Sequence, residues 1–188
     1  MKRCRGFSLI EVLVTIVLVT VGVLGMVALQ AKSIQYTQDA INRNAAITLA
    51  HELVEIMRVH RGGLLRRSPS LSNVYRGLKD SSDIYQANGR LKLNVESCPS
   101  ASLPQSLVQQ ASCWLKQVEA TLPDAHSLMS SFVVCPSYTL DDSQRPVCAG
   151  SSYQGSMLAV QLAWRSKEPV CGENSDSDIC TFTTQSEL

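Results

Sequence analysis

Twenty consecutive residues without a charge, Val12 to Ala31 (VLVTIVLVTVGVLGMVALQA), constrain this chain more than any other feature. As a helix, a run of that length covers about 30 Å, the thickness of one bilayer hydrocarbon core. Lys2, Arg3 and Arg5 precede it, and the next positive charge is Lys32. By the positive-inside rule the N-terminus stays cytoplasmic and everything after Lys32 is exported. A cleaved secretory signal is the poorer reading. Its apolar core is about 7 to 15 residues, and the nearest small-residue site here, Leu29-Gln30-Ala31, is weak. A plain anchor explains the length and the flanks but gives Glu11 no purpose. That carboxylate at the apolar border either sits solvated among headgroups or has a function that offsets its cost in lipid.

The remainder fits an exported head on a membrane stalk. With 188 residues the expectation is one domain, or one domain plus an appendage. An apolar fraction of 45% against 18% charged residues excludes general disorder. Seventeen Lys and Arg against 16 Asp and Glu exclude a strongly basic nucleic-acid binder. No nucleic-acid partner and no cofactor are expected.

The string Lys2-Arg3-Cys4-Arg5-Gly6-Phe7-Ser8-Leu9-Ile10-Glu11 strongly resembles the class III signal of type IV pilins and pseudopilins. The resemblance implies that a prepilin peptidase cuts between Gly6 and Phe7 and methylates the new Phe7 amine. It makes Glu11 the acidic residue of the mature helix, with an assembly role. Cleavage before the apolar run leaves that run in the membrane. Loss of Lys2, Arg3 and Arg5 takes the formal net charge from +1 to −2.

Past Lys32, apolar or small residues recur at Ile34, Ile41, Ala45, Thr48, Leu49, Leu53, Ile56 and Met57, an amphipathic helical stripe. Nothing breaks a helix before Gly62-Gly63, and Arg58, His60 and Arg61 suit a last turn. The expectation is one helix of about 54 residues, on the order of 80 Å long. Many major pilins carry a proline midway along the apolar half. Here only Gly22 and Gly25 stand there, each weakening a helix by about 1 kcal/mol relative to Ala.

Residues 62–90 read as an irregular connection, as in the variable loop of pilins, and residues 91–95 (LKLNV) as a short strand. Ser102 to Leu122 has the period of a second amphipathic helix, ended by Pro123. Phe132-Val133-Val134, Met157 to Trp164 and 179–183 read as further strands. The expected fold is α+β: a long N-terminal helix, its first half transmembrane, packed on a disulfide-stapled head with an antiparallel sheet and a second helix. Expected domains are the leader 1–6, a transmembrane and polymerisation segment 7–31, an amphipathic segment 32–61 and a globular head 62–188. Trp114 and Trp164 are expected to pack. The Cys113-Trp114 helix and the strand reaching Trp164-Arg165 resemble the PilV branch of minor pilins.

Loss of Cys4 with the leader leaves Cys98, Cys113, Cys135, Cys148, Cys171 and Cys180. An even number in an exported segment indicates disulfides, with about 15 possible pairings. Sequence-adjacent pairs, 98–113, 135–148 and 171–180, give the smallest loops and are the expected arrangement. The last pair also fits the C-terminal cysteine loop common in pilins. No two of these cysteines have zinc-ligand spacing, so no metal is expected.

Catalytic signatures are lacking. His51-Glu52-Leu53-Val54-Glu55 ends in Glu where a zinc-binding H-E-x-x-H needs a second His. His126 near Asp124 has no fixed nucleophile. The run Glu173 to Asp178 holds oxygen ligands without the EF-hand pattern.

The resemblance therefore implies a non-enzymatic minor pilin. It is held in the inner membrane with its head in the periplasm, then packed into an extracellular fibre that supports twitching motility and adhesion. Expected partners are other minor pilins and the major pilin, the prepilin peptidase, the inner-membrane assembly machinery and a tip adhesin. Two rivals stay open: a minor pseudopilin of type II secretion, and a membrane-tethered periplasmic binding protein or enzyme.

Overall fold

The computed structural model describes residues 8–67, 75–150, 152–166 and 178–188. Gly6, Phe7, Cys171 and most of the 173–178 run lie outside the described residues. The chain divides into two units, Met1–Ala40 and Ile41–Leu188. Helix α1 (Leu9–Val59) runs unbroken through both, including Gly22 and Gly25.

In the first unit the helix starts where the amides of Glu11 and Val12 donate to the Ser8 carbonyl at 3.0 and 3.4 Å. Within the apolar run, Thr15 and Thr20 donate their hydroxyls to Val12 O and Val17 O, each at 2.8 Å. Both polar groups are thus satisfied inside the helix, as a hydrocarbon environment requires.

In the second unit the buried face of α1 consists of Asn42, Ala46, Leu49, Ala50, Leu53, Val54 and Met57. Ile34, Ile41 and Thr48, expected on the stripe, are exposed instead. The small residues Ala46 and Ala50 take the inner row because they let neighbouring elements approach. α1 ends at His60, whose φ of −101° and ψ of 19° interrupt the helix, and Gly62-Gly63 fall inside a further helical turn, α2 (Arg61–Leu64).

The segment expected to be irregular contains an antiparallel pair, β1 (Leu65–Arg67) and β2 (Tyr75–Leu78). Leu65 opposite Leu78 anchors it, and both are buried. Conversely, 91–95 is not a strand. It contributes one bridge, Leu91 to Tyr85, then enters a 3-10 turn, Val95–Ser97, whose start is capped by Asn94. Alternation alone had no partner strand of matching length to pair with.

Helix α3 (Leu107–Thr121) begins later than Ser102, because Ser106 and Gln109 form a reciprocal capping box. The three-stranded antiparallel sheet has the order β3 (Val133–Pro136), β4 (Met157–Arg165), β5 (Ile179–Glu187). β4 is central, and every residue from Leu158 to Trp164 is buried. β5 extends to Glu187, beyond the expected 183, because the full length of β4 serves as its template, Met157 facing Glu187. The core joins the inner face of α1 to Trp114, Leu115, Phe132, Leu158, Leu162 and Trp164.

Candidate functional site

Glu11 lies in the first turn of α1, where unpaired amides make an acidic side chain favourable. Large apolar side chains follow all around the helix, from Val12 to Leu29, each about half or more exposed. A helix apolar on every side must be covered by lipid or by other helices. Among the described residues this is one helix long and apolar enough to cross a membrane. Phe7, whose amine the expected cleavage would free four residues before Glu11, lies outside the described residues.

The rest of α1 is seated on the second unit by polar contacts as well as packing. The Trp114 indole N–H donates to Leu49 O at 2.7 Å. Arg58 donates to Glu187 O at 3.2 and 3.1 Å and to Ser186 Oγ at 2.8 Å, and also pairs with Glu55. His60 Nε2 lies 3.2 Å from Gln110 Oε1. By its place in the last turn Arg58 suits the helix dipole. Its contact with the C-terminal strand, 129 residues away, left no local signal.

Cys98 is bonded to Cys113, tying the 3-10 turn to α3, and Cys135 to Cys148, with Cα separations of 4.7 and 5.5 Å. Cys180 is also disulfide-bonded. Gly89, at φ +81°, lies against the second bridge: a Cβ there would meet Cys148 Sγ at 2.8 Å.

The polar groups that resembled catalytic fragments are engaged otherwise. His51 is exposed on α1. His126 contacts Glu119 at 2.9 Å, and not Asp124. Asp124 instead pairs with Arg165 Nε at 3.0 Å, and Arg165 also binds Asp178. The Asp178 carboxylate, with a smaller contribution from Asp124, holds the Arg165 guanidinium above its ordinary range. Asp178 thereby spends its charge on an arginine. Among the described residues no group of three or more His, Cys, Asp or Glu side chains is arranged to hold a metal. A cleft of about 400 Å³ beside the stacked rings of Tyr138 and Tyr153 has an uncharged lining.

The described residues thus comprise an exposed apolar helical segment and a head cross-linked by disulfides. Residues 1–27 match the family model described as the prokaryotic N-terminal methylation motif, and residues 28–73 match the model described as type IV pilin Tt1218. No curated protein and no solved structure matches the chain. Over residues 1–73 the chain is thus similar to a prepilin methylation motif followed by part of a type IV pilin.

Proposed function

We propose that this chain is a minor pilin of the PilV group, incorporated into a type IV pilus to prime its assembly with other minor pilins. Residues 1–6 are the leader, cut by prepilin peptidase at Gly6–Phe7, and Phe7 becomes N-methylated. Residues 7–31 hold the precursor in the inner membrane with the head in the periplasm, and later pack in the fibre core. Residues 32–61 carry the amphipathic helix, and 62–188 form the head. Major pilin, the assembly machinery and a tip adhesin are its further partners, with twitching motility and adhesion as outcomes.

One observation carries the reading. Gly6-Phe7 and Glu11 stand at the border of a charge-free, exposed apolar run, within a matched methylation motif. A plain anchor needs neither a small residue before an aromatic one nor a carboxylate at the edge of lipid. The test is an intact mass of the membrane protein, with a search for the chain in sheared extracellular fibres. The expected product begins at N-methylated Phe7 and is present in the fibres. A chain that retains Met1 or Lys2, or one processed but confined to membranes, overturns the reading.

A further inference from the structure

The two edges of the three-stranded sheet are treated differently. On the β3 side, Val134 N–H donates to Gly89 O at 2.8 Å, and Pro136 has no N–H, while its carbonyl accepts from Ala149 N at 2.7 Å. That edge is capped by the chain itself. On the β5 side, Ser166 N donates to Asp178 O and Leu188 N to Ser156 O. With the unbroken register between β4 and β5, these bonds direct the amides and carbonyls of Cys180, Phe182, Thr184 and Ser186 inward to β4. Those of Thr181, Thr183, Gln185 and Glu187 therefore point away from the sheet. The Glu187 carbonyl is taken by Arg58, which marks the end of the edge. The backbone groups of Thr181, Thr183 and Gln185 make no hydrogen bond to any described residue.

Natural edge strands are protected by lysine, proline, bulges or short length. β5 has none of these: it is nine residues long, regular in register, and uncharged from Ile179 to Ser186. We propose that the β5 edge accepts an extended strand from a different subunit, which adds to the sheet as a fourth strand. Alternating donors and acceptors along Thr181, Thr183 and Gln185 match another extended backbone and no other common ligand. The faces set its side chains. One row lies beside the polar Thr181, Thr183 and Gln185, and the other beside half-buried Phe182 and Thr184. The incoming strand therefore alternates polar with apolar or β-branched residues. A second copy pairing through the same edge makes a closed two-fold contact, which uses up both edges and cannot propagate along a polar fibre. The choice of a different subunit rests on the fibre reading above; the open edge does not.

The test is amide hydrogen exchange on the full chain, first extracted in mild detergent and then in sheared fibres. In detergent, Thr181, Thr183 and Gln185 should exchange fast while Phe182, Thr184 and Ser186 stay protected. In fibres the outward three should slow by at least about tenfold. Thr181→Pro removes one outward N–H without touching the β4 ladder, and Thr181→Val keeps it. The proline variant should lose most of its fibre incorporation while retaining protection of Phe182 and Thr184; the valine variant should incorporate as wild type. Fast exchange of the outward amides in the assembly, or normal incorporation of a folded Thr181→Pro, overturns the proposal. If the chain is absent from fibres, the fibre reading fails. Exchange in native membranes, compared with detergent, then decides the edge by the same criterion. A Thr183→Cys variant that disulfide-bonds to its own copy shows a second copy on the edge and overturns the assignment to a different subunit.

Discussion

The Trp114 indole donates its N–H to the carbonyl of Leu49, 65 residues earlier in the chain, at 2.7 Å. Both residues are buried, so α3 is fixed to α1 by a hydrogen bond inside the core as well as by packing. Trp164 is equally buried, yet its indole N–H has no partner among the described residues. The two tryptophans therefore differ in what truncation should cost. Trp114→Phe should destabilise the head by about 1–2 kcal/mol more than Trp164→Phe, because only the first leaves a buried bond unmade. Thermal or urea unfolding of both variants checks this; equal losses would show that the Leu49 contact contributes nothing.

Glu11 should matter for assembly and not for insertion. The proposed cleavage at Gly6–Phe7 would create an amine four residues before it, and an isolated buried charge is costly unless paired. Glu11→Ala should insert and be processed as wild type, while its amount in sheared fibres falls by about tenfold or more. Glu11→Gln separates charge from size. Membrane and fibre fractions of both variants give the answer, and normal incorporation of Glu11→Ala would return Glu11 to a solvated border position.

Gly89 is a position at which a single methyl group should disturb a disulfide. Its φ of +81° disfavours any L side chain, and a Cβ there would meet Val133 Cγ1 at 2.6 Å and Cys148 Sγ at 2.8 Å. Gly89→Ala should cost about 1–3 kcal/mol. It should also displace the Cys135–Cys148 bridge, seen as faster reduction of that bridge than of Cys98–Cys113. Unchanged stability and unchanged relative reduction rates would contradict this.

Tyr85 makes the head sensitive to alkali. It is fully buried, its hydroxyl donates to Lys79 O at 2.9 Å, and burial pushes the phenol up to about 12 from 10.0. The hydrogen bond from Ser82 opposes this shift and the Asp80 charge adds to it. The folded state then holds its proton where the unfolded chain has lost it. The contribution is complete below pH 10 and disappears as the pH rises through about 12. It amounts to up to roughly 3 kcal/mol. Stability measured from pH 9 to 12 should fall, and Tyr85→Phe should flatten that part of the fall. An identical slope in both proteins would refute the assignment.

Local chemistry decided what the sequence made legible. The methylation motif, the charge-free run and the unbroken α1 all follow from neighbours along the chain, since helix hydrogen bonds close within four residues. Leu107 to Thr121 was legible for the same reason, and the Ser106–Gln109 box that moved its start is itself a local signal. The strands divide on partnership. Met157 to Trp164 announced itself by alternation, whereas 91–95 alternates just as well and is not a strand. Only the tertiary structure supplied the difference, because a strand exists through backbone bonds to residues far away in sequence. Thr184 to Glu187 joined β5 because β4 lay alongside them, and Leu65 met Leu78 because both had a core to enter. Charge pairs behaved alike. Asp124 stood two residues from His126 but bonded Arg165, brought near when the amide of Arg165 reached the Pro123 carbonyl at 3.0 Å. Sequence proximity sets helices and processing signals, whereas strand pairing and ion pairing wait until folding has brought distant residues together.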